Sequence, residues 1–512
     1  MSIVYLIGAG PGDPGLMTVR GLQCLAAADV VLYDHLVPAR LLEHARADAE
    51  KIDVGTAAPQ PLEQEAICYL LADKAREGKT VARLKWGDPF VFDRGGNEAL
   101  FLHEQGVRFE VIPGIPVGVA VPGYAGVPIT YPGAGDTLTF VRGHEDDGKT
   151  RASIDWTSLA RLDGTIVCYA GPDQLPQMLH ALLTHGRPVD EPAAVVYDGT
   201  LPTQTTITGT LADIEKQVRE RDDRRPAVLV VGRVAALREH LRWFDARPLF
   251  GKRVLVTRQR DQARELVIAL EAAGAEVILA PMIHIAPPDD FGPLDDACAR
   301  MAEFDWIVFA SANAVEALLD RLLSGSRDLR ALSRVKICVV GQATAEQLAK
   351  YGLKADLVPA EFRAEAVAPA IAQEGRVEGL KVLLPRADIG REVIADDLRK
   401  HGAEVTEVVA YRTLAAETRD GEPDIYRMLL DRHIDVVTFA SPSAVRNFVR
   451  LLGDEPAADL LRTTVVACIG PVTAEAATQH HVEPRIVPTS YTIPALVAAI
   501  VDYVTKSHVS NP

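Results

Sequence analysis

Three segments of the first half of the chain carry residue types that could bind a ligand. The segment from Gly8 to Gly21 reads GAGPGDPGLMTVRG and joins a short strand to a helix. A glycine-rich turn of this kind lets the backbone approach a ligand closely and points amide dipoles at it. As a dinucleotide fingerprint the turn is weak, because Asp13 stands where the third glycine of G-x-G-x-x-G would be. A nicotinamide-dependent oxidoreductase therefore stays an alternative.

Charged residues follow the next strands of the same half. Asp34 closes the second strand, where its simplest interpretation is a helix N-cap. Asp88 and Arg94 lie in GDPFVFDRGG, directly after the strand that begins at Val81. Ligands of open α/β sheets bind at the carboxyl ends of parallel strands. The sequence therefore predicts a ligand site at this sheet edge, walled by the apolar loop 112–130.

Length and composition limit the kind of protein that holds these segments. At 512 residues the chain predicts three to four folding units. Its net charge of −16 argues against nucleic acid as a partner. The six cysteines show no metal-ligand spacing, so we expect no disulfide and no metal. We find no signal segment or apolar run that would span a bilayer, so we expect a cytoplasmic protein without a membrane partner.

The second half of the chain repeats itself. DWIVFASANAV (305–315) returns as DVVTFASPSAV (435–445), and GQATAE at 341 returns as GPVTAE at 470. Each strand precedes a helix, which predicts βα units in parallel sheets with right-handed crossovers. Because the matched pairs are 128 to 130 residues apart, the repeat predicts two similar lobes and not a solenoid. The repeat starts after a break near Pro248 and Gly251, which predicts a domain boundary there.

The ordered motifs of residues 1–245 resemble those of the uroporphyrinogen-III C-methyltransferases in the tetrapyrrole methylase family. They are the glycine-rich turn, YD at Asp34, GDPFVFxRGG, PGI at Pro113, YAGVPIT and VGR at Gly232. The resemblance implies two α/β lobes with S-adenosylmethionine between them and a homodimer formed through this half. It implies Asp34 as the acid/base carboxylate and Arg94 as a contact to substrate carboxylates. It also implies cofactor contacts at Pro11, Gly87, Asp88, Val91, Pro116, Val117, Ala170 and Gly199.

Several positions depart from the methylase pattern. The lysine of the usual VGK segment is Thr56, and the histidine and arginine of LTHR are Tyr131 and Pro132. GGD has become Trp86-Gly87-Asp88, and one of two paired glutamates is Asn97. We therefore expect a first half that binds S-adenosylmethionine but methylates its substrate poorly. A degenerate half that acts as a binding or regulatory module is the alternative.

Residues 251–512 resemble uroporphyrinogen-III synthase, through VLVTR, DWIVFASANAV, LLPRAD, VxxYRT, FASPSAV and CIGPVTAE. The resemblance implies one lobe from 251–284 plus 414–512, a second lobe from 288–410, and two linker strands near Ile285 and Tyr411. It implies closure of hydroxymethylbilane with inversion of the last ring and without a cofactor. Tyr411 would assist loss of the terminal hydroxyl. Polar substrate contacts are expected at Ser311, Thr344, Ser441 and Thr473, for which helix capping is the alternative.

The two resemblances together predict an α/β protein with a two-lobed tetrapyrrole methylase fold followed by a two-lobed synthase fold. The synthase half would make uroporphyrinogen III. The methylase half would convert it towards precorrin-2, on the route to sirohaem or cobalamin.

Overall fold

The computed structural model of the protein describes most of the chain. The described residues are 2–55, 62–143, 154–221, 223–280, 283–325, 327–359, 364–388, 393–415 and 424–509. They form four β-sheets flanked by helices. Among these residues, no helix combines the length and apolar character needed to cross a bilayer.

The first sheet is parallel throughout and has the strand order β3-β2-β4-β1-β5. Its strands are β1 (Ile3–Gly8), β2 (Val30–Tyr33), β3 (Glu50–Asp53), β4 (Thr80–Lys85) and β5 (Phe109–Ile112). The helices of this part are α1 (Val19–Ala26), α2 (Ala39–Leu42), α3 (Gln64–Arg76) and α4 (Gly95–Glu104). Because the chain places β4 beside β1, the loops that follow these two strands meet at one edge.

The second sheet is mixed and has the order β6-β7-β10-β8-β9. Its strands are β6 (Leu138–Arg142), β7 (Thr165–Ala170), β8 (Pro192–Tyr197), β9 (Thr205–Thr210) and β10 (Ala227–Val231). Its helices are α5 (Val117–Tyr124), α6 (Trp156–Arg161), α7 (Gln174–Thr184), α8 (Leu211–Arg221) and α9 (Arg238–Leu241). The central strand β10 reads AVLVV and is buried along its whole length, as a strand covered on both faces requires.

The second half of the chain builds two further sheets from nine strands. These are β11 (Arg253–Val256), β12 (Glu276–Leu279), β13 (Ile283–Ala286), β14 (Trp306–Phe309), β15 (Lys336–Val339), β16 (Lys381–Ala387), β17 (Glu404–Ala415), β18 (Val436–Phe439) and β19 (Val465–Cys468). The third sheet is parallel, with the order β12-β11-β18-β19. The fourth has the order β13-β17-β16-β14-β15, in which β13 alone runs antiparallel to its neighbour.

The helices of the second half alternate with these strands. They are α10 (Arg260–Ala272), α11 (Gly292–Ala299), α12 (Ala312–Ser324), α13 (Gln342–Lys350), α14 (Val367–Glu374), α15 (Val393–Lys400), α16 (Ile425–Leu430), α17 (Pro442–Leu452), α18 (Asp454–Leu461), α19 (Pro471–Gln479) and α20 (Ile493–Val509). Short 3-10 helices lie at Pro14–Leu16, Arg233–Leu237, Met301–Glu303, Leu329–Leu332 and Ala364–Ala366.

The connections between the third and fourth sheets run through β13 and the end of β17. Ile285 pairs with Thr413 and Ala286 with Arg412, so the outgoing and returning segments lie side by side. The observed α/β architecture confirms the predicted fold class. The residue limits of the domains stay a prediction.

Candidate active sites in the two halves

A cleft of 560 Å³ lies between the first and second sheets. Loops that follow β1, β2 and β4 form one wall, and the ends of β7 and β8 together with the start of β10 form the other. Its lining is mostly apolar and backbone, and comprises Pro11, Gly12, His35, Leu36, Val37, Pro38, Trp86, Val117, Val121, Tyr169, Ala170, Gly171, Val196, Asp198, Gly199, Leu201, Pro226, Ala227 and Val228. Both the volume and this lining are typical of a site for a small organic molecule.

The predicted cofactor residues divide into two groups around this cleft. Pro11, Val117, Ala170 and Gly199 line it directly. Gly87, Asp88, Val91 and Pro116 do not line it, but Gly87 and Asp88 contact neighbouring loops. The Asp88 carboxylate, for example, accepts hydrogen bonds from the amides of Phe90 at 2.8 Å and Gly114 at 3.0 Å. Asp88 therefore fixes two loops beside the cleft.

Backbones approach closely beneath the cleft. A Cβ atom on Gly114 would lie 2.2 Å from the Gly87 carbonyl oxygen, and one on Gly8 would lie 2.4 Å from the Gly114 nitrogen. Three loops therefore pack backbone against backbone, which only glycine allows. Open backbone groups beside apolar walls suit a nucleoside, so the residues present fit S-adenosylmethionine.

The glycine-rich turn does not have the geometry of a dinucleotide fingerprint. Asp13 ends the turn by capping the 3-10 helix Pro14–Leu16, where its side chain accepts a hydrogen bond from the Gly15 amide at 2.7 Å. The α-helix that follows begins only at Val19. The turn therefore does not lead directly into a helix N-terminus, as a bound pyrophosphate would require.

Asp34 lies at the carboxyl end of β2, next to the cleft-lining stretch His35–Pro38. The N-cap interpretation is wrong, because α2 begins at Ala39 and its N-cap is Pro38. A side-chain oxygen of Asp34 instead accepts a hydrogen bond from the buried Arg83 guanidinium. This ion pair fixes the orientation of the carboxylate.

Behind Asp34 lies a buried charge cluster, which we define as Arg83, Lys85, Asp93 and Glu98. Glu98 Oε1 accepts hydrogen bonds from Arg83 Nε at 3.2 Å and from Lys85 Nζ at 3.0 Å. Lys85 also pairs with Asp93 at 3.2 Å. Among the residues that the structure describes, Glu98 Oε2 has no hydrogen-bond partner. Buried charges are costly unless they are paired, so this cluster depends on all of its members.

The pKa values of the two buried carboxyls shift in opposite directions. Burial by itself would raise the pKa of Glu98, but Arg83 and Lys85 outweigh it and hold that pKa below its usual value. Burial raises the pKa of Asp93, which Lys85 opposes and Asp34 reinforces. Glu98 is therefore the carboxylate that keeps the two cations in place.

The residues that depart from the methylase pattern lie at separate places. Thr56 lies outside the described residues. Tyr131 is half exposed, and Pro132 follows it in an exposed turn. Asn97 is exposed on α4, so its side chain is not part of the buried cluster that the neighbouring Glu98 enters. Arg94, the predicted substrate contact, is the N-cap residue of α4.

Trp86 and Tyr169 are two cleft residues that the sequence analysis did not assign. Trp86 Nε1 donates a hydrogen bond to the Pro11 carbonyl at 2.9 Å, which ties the loop after β4 to the loop after β1. The Tyr169 hydroxyl accepts a hydrogen bond from the Gly118 amide at 2.8 Å. The sequence offers one signal for the contact between Trp86 and Pro11: Trp86 replaces the first glycine of GGD.

The second half has its own cavity, of 510 Å³, beside the two connecting strands. Gln259 and Gln262 line it from the third sheet's side, and α12 and β17 line it from the fourth sheet's side. Gln262 Nε2 donates to Asn313 Oδ1 at 2.5 Å across this cavity. The site therefore lies between the two lobes.

Tyr411 faces this cavity from β17. Its hydroxyl lies 3.0 Å from Ser311 Oγ, and Ser311 Oγ also accepts a hydrogen bond from the Ala314 amide as the N-cap of α12. Burial raises the pKa of Tyr411, against the opposing effect of its hydrogen bonds to Ser311 and Asn313. The phenol is therefore protonated at neutral pH.

The other predicted polar residues of the second half do not line this cavity. Ser441 is the N-cap of α17 and accepts a hydrogen bond from the Ala444 amide at 3.2 Å. Thr344 is buried, and its hydroxyl donates to the Val340 carbonyl at 3.1 Å. Thr473 is buried in α19. Ser311 and Ser441 are therefore both helix N-caps. Ser311 also contacts the Tyr411 hydroxyl.

Two family models match separate parts of the chain. A family model for tetrapyrrole (corrin/porphyrin) methylases matches residues 3–215, and one for uroporphyrinogen-III synthase HemD matches residues 264–498. The chain is 36% identical to the porphyrin biosynthesis protein HemD of Ruminiclostridium josui over 501 residues, which are 98% of this chain and 97% of that one.

Two further similarities cover less of the chain. The uroporphyrinogen-III C-methyltransferase of Bacillus subtilis is 35% identical over 351 residues, which are 68% of this chain and 72% of that one. Among solved structures, the uroporphyrin-III C-methyl transferase from Thermus thermophilus complexed with S-adenyl homocysteine is 36% identical. It covers 46% of this chain and 100% of its own, with a TM-score of 0.40.

Proposed function

We infer the function from one premise: the chain belongs to the family of porphyrin biosynthesis proteins that join a tetrapyrrole methylase to a uroporphyrinogen-III synthase. It is a bifunctional enzyme of tetrapyrrole biosynthesis. We propose that the synthase half, 251–512, closes hydroxymethylbilane to uroporphyrinogen III. The methylase half, 1–245, then methylates that product towards precorrin-2.

The observation that carries the methylase proposal is the position of Asp34 beside an apolar cleft. Bound S-adenosylmethionine supplies an electrophilic methyl group there, and C-methylation of a pyrrole carbon also requires removal of a proton. We propose that Asp34 accepts that proton, since it directly precedes the cleft-lining stretch His35–Pro38 and its carboxylate is oriented by the hydrogen bond from Arg83. Cleft walls of backbone and apolar side chains exclude water and align the reacting carbon.

Thr56 and Pro132 stand where the methylase pattern has basic residues, which limits how tightly the methylase half can bind its substrate. A polyanionic substrate would lose two charge-assisted hydrogen bonds there, each worth roughly 1.5 to 3 kcal/mol. Lys85 does not replace them, because it is buried and paired with Glu98 and Asp93. We propose that methylation is correspondingly slower than in a methylase that keeps both basic residues.

We also propose that two copies pair through the methylase half. Phe90 and Leu100 expose more than half of their surface on this half of the chain, with Tyr69 nearly as exposed. Apolar side chains of this size favour burial in an interface.

In the synthase half, Tyr411 is the group that we propose assists departure of the terminal hydroxyl of the linear substrate. Tyr411 is buried and lines the cavity at the lobe junction, where its phenol can serve as the proton donor. A proton donated to the leaving oxygen lets it depart as water. The ring can then close without a cofactor.

Replacing Tyr411 with phenylalanine should lower turnover of hydroxymethylbilane by about a hundredfold, because the proton donor is lost. Loss of the contact to Ser311 should cost about 1 kcal/mol of folding free energy, so the domain stays folded. The exposed Tyr426 on α16 offers a control: Tyr426→Phe should leave turnover unchanged. Steady-state kinetics on both variants decide the matter, and equal rates for Tyr411→Phe and wild type would exclude the proposed role.

A further inference from the structure

The turn that follows β8 has an unusual backbone. Asp198 has φ +47° and Thr200 has φ +72°, whereas Gly199 between them lines the cleft. Left-handed backbone is rare for residues other than glycine and especially unfavourable for β-branched ones. Such conformations persist only where surrounding contacts impose them, and they concentrate at ligand sites.

Several contacts impose the conformation of this turn. The Asp198 carboxylate forms an ion pair with Arg225, which also pairs with Asp223 at 2.7 Å. The Thr200 amide donates to the buried Gln204 side chain at 2.9 Å. The turn is therefore held from both of its ends.

The Thr200 side chain uses this conformation to reach the other lobe. Thr200 is buried, and its Oγ1 accepts a hydrogen bond from the Asp13 amide at 3.0 Å. Asp13 belongs to the loop after β1, whereas Thr200 belongs to the second sheet. A Cβ atom on Gly12 would lie 3.0 Å from the same hydroxyl, so the two loops are in close contact.

A second contact anchors the same loop to the second lobe. The Tyr124 hydroxyl, at the end of α5, donates to Asp13 Oδ2 at 2.7 Å. Two residues before Asp13, the Pro11 carbonyl accepts a hydrogen bond from Trp86 Nε1. The Thr200 hydroxyl thus links the turn at Gly199 directly to the backbone between Pro11 and Asp13.

We propose that Thr200 is a positioning residue for the nucleoside cofactor. Its hydroxyl fixes the distance between the two cleft walls at Pro11-Gly12 and at Gly199, and its strained backbone presents Gly199 to the ligand. This inference rests on the proposed methylase function. It adds a residue that sets cofactor affinity without belonging to the acid/base machinery.

The decisive variant is Thr200→Val, which keeps the side-chain shape and removes the hydroxyl. Thr200→Ser keeps the hydroxyl, and Thr208→Val makes the same change at an exposed position of β9. Calorimetry with S-adenosylhomocysteine should show about tenfold weaker binding for Thr200→Val, and binding within about twofold of wild type for the other two. KM for S-adenosylmethionine should rise by about the same factor, with kcat unchanged.

Hydrogen exchange tests the contact without any ligand. In Thr200→Val, peptides covering residues 9–17 should exchange about tenfold faster or more, because the Asp13 amide loses its acceptor. Unchanged exchange, or faster exchange with unchanged S-adenosylhomocysteine affinity, would overturn the proposal. If the wild type itself does not bind S-adenosylhomocysteine, the methylase function fails, and exchange still decides whether Thr200 joins the lobes. Thermal unfolding of the methylase half reports that each variant is folded.

Discussion

Asp34→Asn should abolish most methyl transfer, lowering its rate by about a thousandfold, while ring closure in the synthase half continues at the wild-type rate. The amide keeps the size of the side chain and an oxygen to accept the hydrogen bond from Arg83. It cannot take up a proton, so the step that follows methyl addition loses its base. Affinity for S-adenosylhomocysteine should stay within about twofold, because Asp34 itself does not line the cleft.

Asp53 offers the matched control for this variant. It ends the neighbouring parallel strand β3, and its carboxylate accepts a hydrogen bond from the Gly55 amide at 2.8 Å. Asp53→Asn should leave methyl transfer nearly unchanged, since the described residues that follow Asp53 do not line the cleft, whereas His35, directly after Asp34, does. Methyl transfer by Asp34→Asn at half the wild-type rate or more would show that Asp34 is not the base.

The largest stability effect is expected from Glu98→Leu. This change removes the carboxylate that accepts hydrogen bonds from both Arg83 and Lys85 and leaves two buried cations with fewer partners. Breaking a buried ion pair from one side costs about 3 to 5 kcal/mol. Denaturant unfolding of the methylase half should show a loss of that size. Asn97→Leu is the control, because Asn97 is the exposed neighbour on α4 and should change stability by less than about 0.5 kcal/mol.

The same carboxylate gives stability a pH dependence. The pKa of Glu98 is lower in the folded protein than in the unfolded chain, because Arg83 and Lys85 outweigh the effect of its burial. Its contribution is therefore complete above the unfolded pKa, about 4.3, and is lost as pH falls through the lower folded pKa. The stability difference between wild type and Glu98→Gln should shrink below about pH 4. A difference that is constant between pH 3 and pH 7 would contradict this assignment.

The sequence predicts the sheets and the cleft walls better than it predicts the contacts that hold them. The resemblance to the tetrapyrrole methylases implied Pro11, Val117, Ala170 and Gly199 as cofactor contacts, and all four line the cleft. The 128 to 130 residue repeat of the second half indicated its two sheets.

Contacts between residues that are distant in the chain were not predictable in this way. Arg83 and Lys85 alternate along β4 and so share a face, but their partner Glu98 lies on the next helix. Thr200 and Asp13 are 187 residues apart, and no local pattern links them. The capping serines show the opposite case, because an N-cap is a local property that sequence indicates directly.

One measurement tests the central claim, that a single chain both closes and methylates the macrocycle. The full chain is incubated with hydroxymethylbilane, with and without S-adenosylmethionine, and the products are identified by chromatography and mass spectrometry. We predict uroporphyrinogen III, with its last ring inverted, in the absence of S-adenosylmethionine, and conversion of that product to precorrin-2 in its presence. A product whose last ring is not inverted, or an unmethylated product in both reactions, would contradict the account.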